Sequence, residues 1–175
     1  MLSFYDSPQI NNIMYKVSFK KDSKKVQTFN NCATVVTLVG EFSLPKDIWK
    51  VIPESIIHWF WTHPSIETDW MKEDTFRIEC SGKAVCAKDD TFDPIIGERI
   101  AESRAKIKLY SFMATFLRKL VRYYTEITFG NTAYERVLGT KFNPNTVSIS
   151  GSYWKYYRLL GNEKNHLTEL LQKTK

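Results

Sequence analysis

Four carboxylates crowd one short stretch of the chain: Asp89, Asp90, Asp93 and Glu98. Carboxylates at this density hold a divalent cation when several oxygens converge to about 2.0–2.6 Å from the metal, and a metal held in that way would serve a nuclease. The spacing does not fit a calcium loop, because the alternation of acidic positions and the closing glutamate are missing. Asp93-Pro94 fits a structural task instead. An aspartate accepts hydrogen bonds from the free N–H groups of a helix start, and proline suits the first helical position because it has no N–H to leave unpaired. His58 and His63 stand five apart, and Cys80 and Cys86 form no close pair, so a four-ligand zinc site lacks the local ligand pairs that zinc motifs use. No G-x-S-x-G, phosphate-binding loop or G-x-G-x-x-G is present. No catalytic residue, metal or cofactor is therefore expected.

Cations and aromatic rings carry the other chemistry. Arg99, Arg104, Lys106, Lys108, Arg118, Lys119 and Arg122 oppose only Glu98 and Glu102 between positions 98 and 124, an imbalance suited to phosphates or to an acidic protein face. Lys16, Lys20, Lys21, Lys24 and Lys25 form a second basic cluster, expected at a hairpin tip. The segment "SYWKYYRLL", residues 152 to 160, interleaves Tyr153, Trp154, Tyr156 and Tyr157 with Lys155 and Arg158. Rings beside cations make a stacking surface for nucleic acid, and equally a core or protein interface.

The elements that position these groups follow from periodicity. Ile13, Tyr15, Val17 and Phe19 alternate with Met14, Lys16, Ser18 and Lys20, which predicts two short strands around a Lys-rich turn within residues 12–29. "CATVVTLVGEFSL" predicts a strand buried on both faces or bulged at Gly40. The proline-rich, aromatic residues 44–70 suit short helical turns and loops. "TFRIECSGKAVCA" predicts a second hairpin turning at Ser81-Gly82, across which Cys80 and Cys86 would face each other. From Asp93 to about Phe129, Ile96, Ile100, Ser103, Ile107, Tyr110, Ala114, Leu117, Val121 and Tyr124 recur four and three apart, the stripe of a long helix ended by Gly130. A second stripe of Leu109, Phe112, Phe116, Leu120, Tyr123 and Ile127 packs its later half on two sides. Residues 132–139 predict a short helix, 142–153 a turn then a strand or loop, and 162–174 a terminal amphipathic helix.

The totals agree with an ordered globular chain. It has 175 residues, 43% hydrophobic and 25% charged, with net charge +6 and pI near 9.1, which favours acidic partners. The chain is expected to form a single domain, strand-rich over 1–90 and helix-rich over 93–175. Five Trp, nine Tyr and eleven Phe exceed the needs of a small core, so some rings should reach the surface. Three sparse cysteines point to a reducing cytoplasm, and neither a leader nor a membrane span is expected.

Residues 82 to 108 resemble a segment of small proteins of bacterial viruses, of the form G-x-A-x-C-x-x-x-D-x-F-D-x-x-x-G-x-x-I-A-x-x-R-A-x-x-K. Gly82, Ala84, Cys86, Asp90, Phe92, Asp93, Gly97, Ile100, Ala101, Arg104, Ala105 and Lys108 carry the likeness. The resemblance implies a phage or prophage origin, a hairpin followed by a long helix, and no enzyme activity. Phe92 would anchor the turn, Gly97 would admit close approach, and Ala101 and Ala105 would make a narrow packing face. The expected fold is α+β, an antiparallel sheet of about four or five strands on one long helix with shorter C-terminal helices. The expected function is a non-enzymatic phage accessory protein in the host cytoplasm, a counter-defence inhibitor of a host protein or nucleoprotein machine or its DNA or RNA. The alternatives are a virion structural component and a metal-dependent nuclease using Asp89, Asp90 and Asp93.

Overall fold

A computed structural model of the chain describes residues 18–29, 32–44, 52–72, 75–87, 91–129 and 144–173. Their order is β1 (Ser18–Phe29), β2 (Ala33–Ser43), α1 (Glu54–Trp61), β3 (Ile66–Lys72), β4 (Thr75–Val85), α2 (Pro94–Phe129) and α3 (Pro144–Lys173). The four strands form one antiparallel sheet in the order β1-β2-β4-β3. Two hairpins thus lie side by side, with α2 and α3 following in sequence. The architecture is α+β.

In β4 the side chains alternate strictly. Phe76, Ile78, Cys80, Gly82 and Ala84 are buried, while Arg77, Glu79, Ser81, Lys83 and Val85 are half-buried or exposed. This period of two is what a sheet with one covered face requires. The same period puts Val36, Leu38 and Phe42 of β2 on the covered side, and the neighbouring Val39 is also buried. The open side is tied by polar pairs: Thr37 to Ser81 at 2.8 Å, Ser43 to Thr75 at 3.1 Å, and Arg77 to Glu67 at 3.2 Å.

Two predicted turns are not turns. Ser81-Gly82 lies inside β4, opposite Thr37 and Val36, because the ladder and the Thr37–Ser81 hydroxyl pair continue through it. The Lys-rich segment likewise runs straight through β1, with one irregularity between Lys21 and Ser23 opposite Gly40 and Val39. The bulge expected at Gly40 is on the facing strand. Where β1 meets β2, the Cys32 N–H donates to the Phe29 carbonyl at 3.0 Å. Lys20, Lys21, Lys24 and Lys25 therefore stand along an edge strand, a common place for lysines because charge discourages pairing with another chain. Residues 12–17, 45–51, 132–139, Gly130, Asp89 and Asp90 lie outside the described residues. Ile66–Lys72, expected as loop, is an edge strand paired to β4.

The sheet packs on α2 through small residues. A side chain on Gly82 would meet the Ala101 carbonyl, the Ala105 nitrogen at 2.5 Å and the Arg104 Cβ at 2.9 Å. Ala101 and Ala105 are fully buried, so the narrow face expected of them is where strand and helix backbones come closest. At Gly97 a side chain would lie 2.9 Å from the Thr34 hydroxyl and 3.8 Å from the Phe92 ring. Further along, the helix meets an aromatic core: Phe42, Phe76, Phe112 and Phe116 pack around Phe60, with ring centroids 4.8 to 6.4 Å from it.

Helix α3 is a single 30-residue element rather than a strand and a short helix. It runs antiparallel to α2: Ser103 donates to the Glu163 carbonyl at 3.5 Å, and Tyr110 meets Tyr156 with ring centroids 6.3 Å apart. Ile149, Leu167 and Leu170 join the core along its length. The extra length is explained by burial, since tertiary packing outweighs the weak propensities of Ser, Gly and Asn. Among the described residues no helix is long and apolar enough to cross a membrane.

Candidate nucleic-acid interface

Helix α2 begins where the sequence predicts. Asp93 Oδ1 accepts from the Ile95 and Ile96 N–H groups at 2.8 and 3.1 Å, and Pro94 takes the first position. From there the helix presents three faces. Ala101, Ala105, Leu109, Phe112 and Phe116 are turned toward the sheet, and Ile100, Ser103, Tyr110 and Ala114 toward α3. The third face carries Arg104, Lys108, Ser111, Thr115, Arg118 and Arg122, four and three residues apart in turn. Residues at that spacing align along one side of a helix. Arg104 and Thr115 are half-buried and the other four exposed. The stripe spans 19 residues, from Arg104 to Arg122, about 27 Å at 1.5 Å rise.

The segment that carries the stripe is cationic. From Ser103 to Thr125 the sequence has six cations and no carboxylate. The Arg104 guanidinium donates to the Lys83 carbonyl, which fixes it at the sheet margin while leaving its charge unneutralised. Lys119 lies over the Trp59 ring at 5.2 Å, an interaction that also preserves the charge. Lys108 and Arg118 are exposed and have no carboxylate at ion-pair distance among the described residues.

The expected basic flank is thereby divided. Lys106 lies on a different side of α2 and pairs with Glu102 at 3.0 Å. Lys24 reaches from β1 to Glu102 and to Glu98, the latter at 2.7 Å. Two cations meet two carboxylates, and the cluster is neutral. The hydrogen bonds to Glu102 and Glu98 push the Lys24 ammonium above its ordinary value. Burial works against ionisation of Glu102, but the bonds from Lys24 and Lys106 outweigh it and hold the carboxyl below the usual range. This cluster fastens the edge strand to the helix. Arg99 is exposed off the stripe and Lys25 is exposed on β1, while Lys20 and Lys21 take part in β1 pairing opposite Glu41 and Gly40.

Beside the stripe runs a groove of about 610 Å³ between α2, β4 and the turn after α1. Trp59, His63 and Phe112 form its aromatic wall, and Lys108, Ser111 and Thr115 of the stripe form another. His63 stacks near Phe112, centroids 4.5 Å apart, and its Nδ1 accepts from the Ser65 N–H at 3.2 Å. Burial lowers its pKa, so the ring is neutral at pH 7. The Cys80 thiol donates to the Ser65 hydroxyl at 3.5 Å, and burial above all pushes its pKa up, which suits a packed thiol and not a nucleophile. Ser65, Ser111 and Thr115 were not among the candidates that the sequence offered. The available signal was that Ser111 and Thr115 complete the four-three period of the cations.

On α3 the four aromatic candidates separate. Tyr156 is buried against α2 and is not a surface contact, Tyr153 is half-buried, and Trp154 and Tyr157 are 54% and 53% exposed. The two exposed rings meet edge to face, centroids 5.7 Å apart. Among the described residues no group of three or more His, Cys, Asp or Glu converges as metal ligands would. Cys80 lies within the extended β4 and Cys86 just beyond its end, about 20 Å along an extended chain, so they cannot face each other as a hairpin would require. All three cysteines are free thiols. No family model, curated protein or solved structure matches this chain.

Proposed function

We propose that the chain is a non-catalytic binding protein that grips the phosphate backbone of nucleic acid, bare or within a host nucleoprotein complex. The observation that carries this reading is the α2 stripe, in which Arg104, Lys108, Arg118 and Arg122 follow one helical line through a segment without carboxylates. Cations presented in a row neutralise successive phosphates and release their counterions. Lysines and arginines used only for solubility are commonly interspersed with acids, as Lys24 and Lys106 are here. The phage-like segment gives this binding its biological setting, that of a counter-defence protein acting in the host cytoplasm on machinery that handles nucleic acid.

Titration of labelled DNA and RNA at two salt concentrations tests the proposal. Four phosphate contacts give a slope of log affinity on log salt of roughly 3 to 4, at about 0.7 per contact for single strands and 0.9 for duplex. Changing Lys108 and Arg118 together to Glu removes two contacts and lowers that slope, with the fold intact because both side chains are exposed. Failure of the unmodified chain to bind either nucleic acid at low salt overturns the proposal. The virion-component reading has one observation of its own, the exposed Trp154 and Tyr157 on the outer side of α3. Light scattering across a concentration series tests it, since assembly through that face would raise the mass and Trp154→Ser would reverse the rise.

A further inference from the structure

The groove beside the stripe differs chemically from the stripe. Phosphates are satisfied by cations on an open surface, whereas this groove is a recess walled by the rings of Trp59, His63 and Phe112 and edged by hydroxyls. The ring centroids lie close together, Trp59 to His63 at 5.5 Å and Trp59 to Phe112 at 5.7 Å. Because Nδ1 of the neutral His63 accepts from the Ser65 N–H, its proton resides on Nε2, which is a donor. The Ser65 hydroxyl accepts from Cys80 and keeps its own proton to give. Ser111 and Thr115 supply two more hydroxyls from the stripe side. An aromatic wall with a few polar groups at its margin is the environment of a planar heterocycle, and the volume falls within the range of small-ligand sites.

We infer that the groove receives an unstacked base of single-stranded nucleic acid whose phosphates lie along the α2 stripe. The inference rests on the stripe binding nucleic acid and adds the strandedness of the ligand. Lys108, Ser111 and Thr115 belong to both the stripe and the groove wall, so a strand following the stripe passes the groove mouth. A base held in a duplex cannot turn into such a recess without breaking its pair, whereas a base of a single strand is free to stack on protein rings. The charges favour the same orientation. Lys108 stands at the stripe side, and Glu79, the one carboxylate among the lining residues, stands on β4 and turns phosphates away from the sheet side.

The test uses the full chain and three probes of equal length: a labelled oligothymidylate, the corresponding duplex, and a single strand with abasic sites replacing its bases. Binding of the oligothymidylate about tenfold tighter than the abasic strand is expected, the effect of stacking one base. Ser111→Leu fills the groove from an exposed helical position without changing charge, and should bring the oligothymidylate down to the abasic level. Photo-crosslinking of the unmodified chain with an iodouracil-containing strand supplies a readout independent of any variant. Adducts on Trp59, His63 or Phe112 support the inference. Equal affinity for all three probes, no effect of Ser111→Leu, or adducts confined to Trp154 and Tyr157 overturn it and leave the stripe reading standing. Absence of binding to every probe at low salt overturns both.

Discussion

Replacing Gly82 with alanine adds one methyl group where sheet and helix backbones are closest. That methyl would meet the Ala101 carbonyl, the Ala105 nitrogen at 2.5 Å and the Arg104 Cβ at 2.9 Å. None of these is the far end of a flexible side chain, so relief requires the strand to move off the helix. Overpacking of a well-filled core costs about 1 to 3 kcal/mol, and with backbone as the obstacle a value of about 3 kcal/mol is expected. The loss outweighs the 0.5 to 1 kcal/mol that alanine gains over glycine in a strand, roughly. At Gly161, exposed within α3, a methyl group meets nothing within 4 Å. There the same substitution stabilises by about 0.5 to 1 kcal/mol, the difference in helix propensity. Denaturant unfolding of both variants beside the unmodified chain measures the contrast, and in a chain of this size each kcal/mol moves Tm by about 2 to 4 °C. A Gly82→Ala variant as stable as the parent would refute the packing argument. Destabilisation by Gly161→Ala would show that α3 is covered at that point.

Three further outcomes follow from single contacts. Asp93→Ala removes the acceptor of two N–H groups at the start of α2 and should lower stability by about 0.5 to 2 kcal/mol in the same unfolding assay. Glu102→Gln should cost about 1 kcal/mol or less, because the Lys24 and Glu102 side chains remain 25% and 20% exposed. Measured against pH, that difference should be present between roughly 4.3 and 10.4, the unfolded values. It is lost as pH falls through the lowered Glu102 pKa or rises through the raised Lys24 pKa. A thiol reagent should modify exposed Cys32 rapidly in the native protein and reach buried Cys80 only on unfolding. Fast labelling of Cys80 in the native state would contradict its burial.

Local signals were legible wherever a few neighbouring residues settle the outcome. Asp93-Pro94 specifies the start of α2 because the cap is made within three residues. The four-three stripe from Ile96 to Leu117 specifies a long helix because helical period is a property of the chain itself. Ala101, Ala105 and Gly97 marked close packing because small residues leave little else to fill the space. Ser81-Gly82 misled for the complementary reason. Its composition favours a turn, but the space at Gly82 is set by α2, some twenty residues later, and pairing with β2 keeps the strand straight. Lys20 to Lys25 misled in the same way, since a lysine-rich segment resembles a tip until a partner strand extends along it. Charge was legible as a total and not as a distribution. Only the fold could bring Lys24 across to Glu98 and Glu102, and set the line of Arg104, Lys108 and Arg118 beside an aromatic groove. The sequence determines which groups carry charge and which segments coil or extend. Their net charge at a surface depends on distances between residues remote in the chain, and tertiary packing alone sets those.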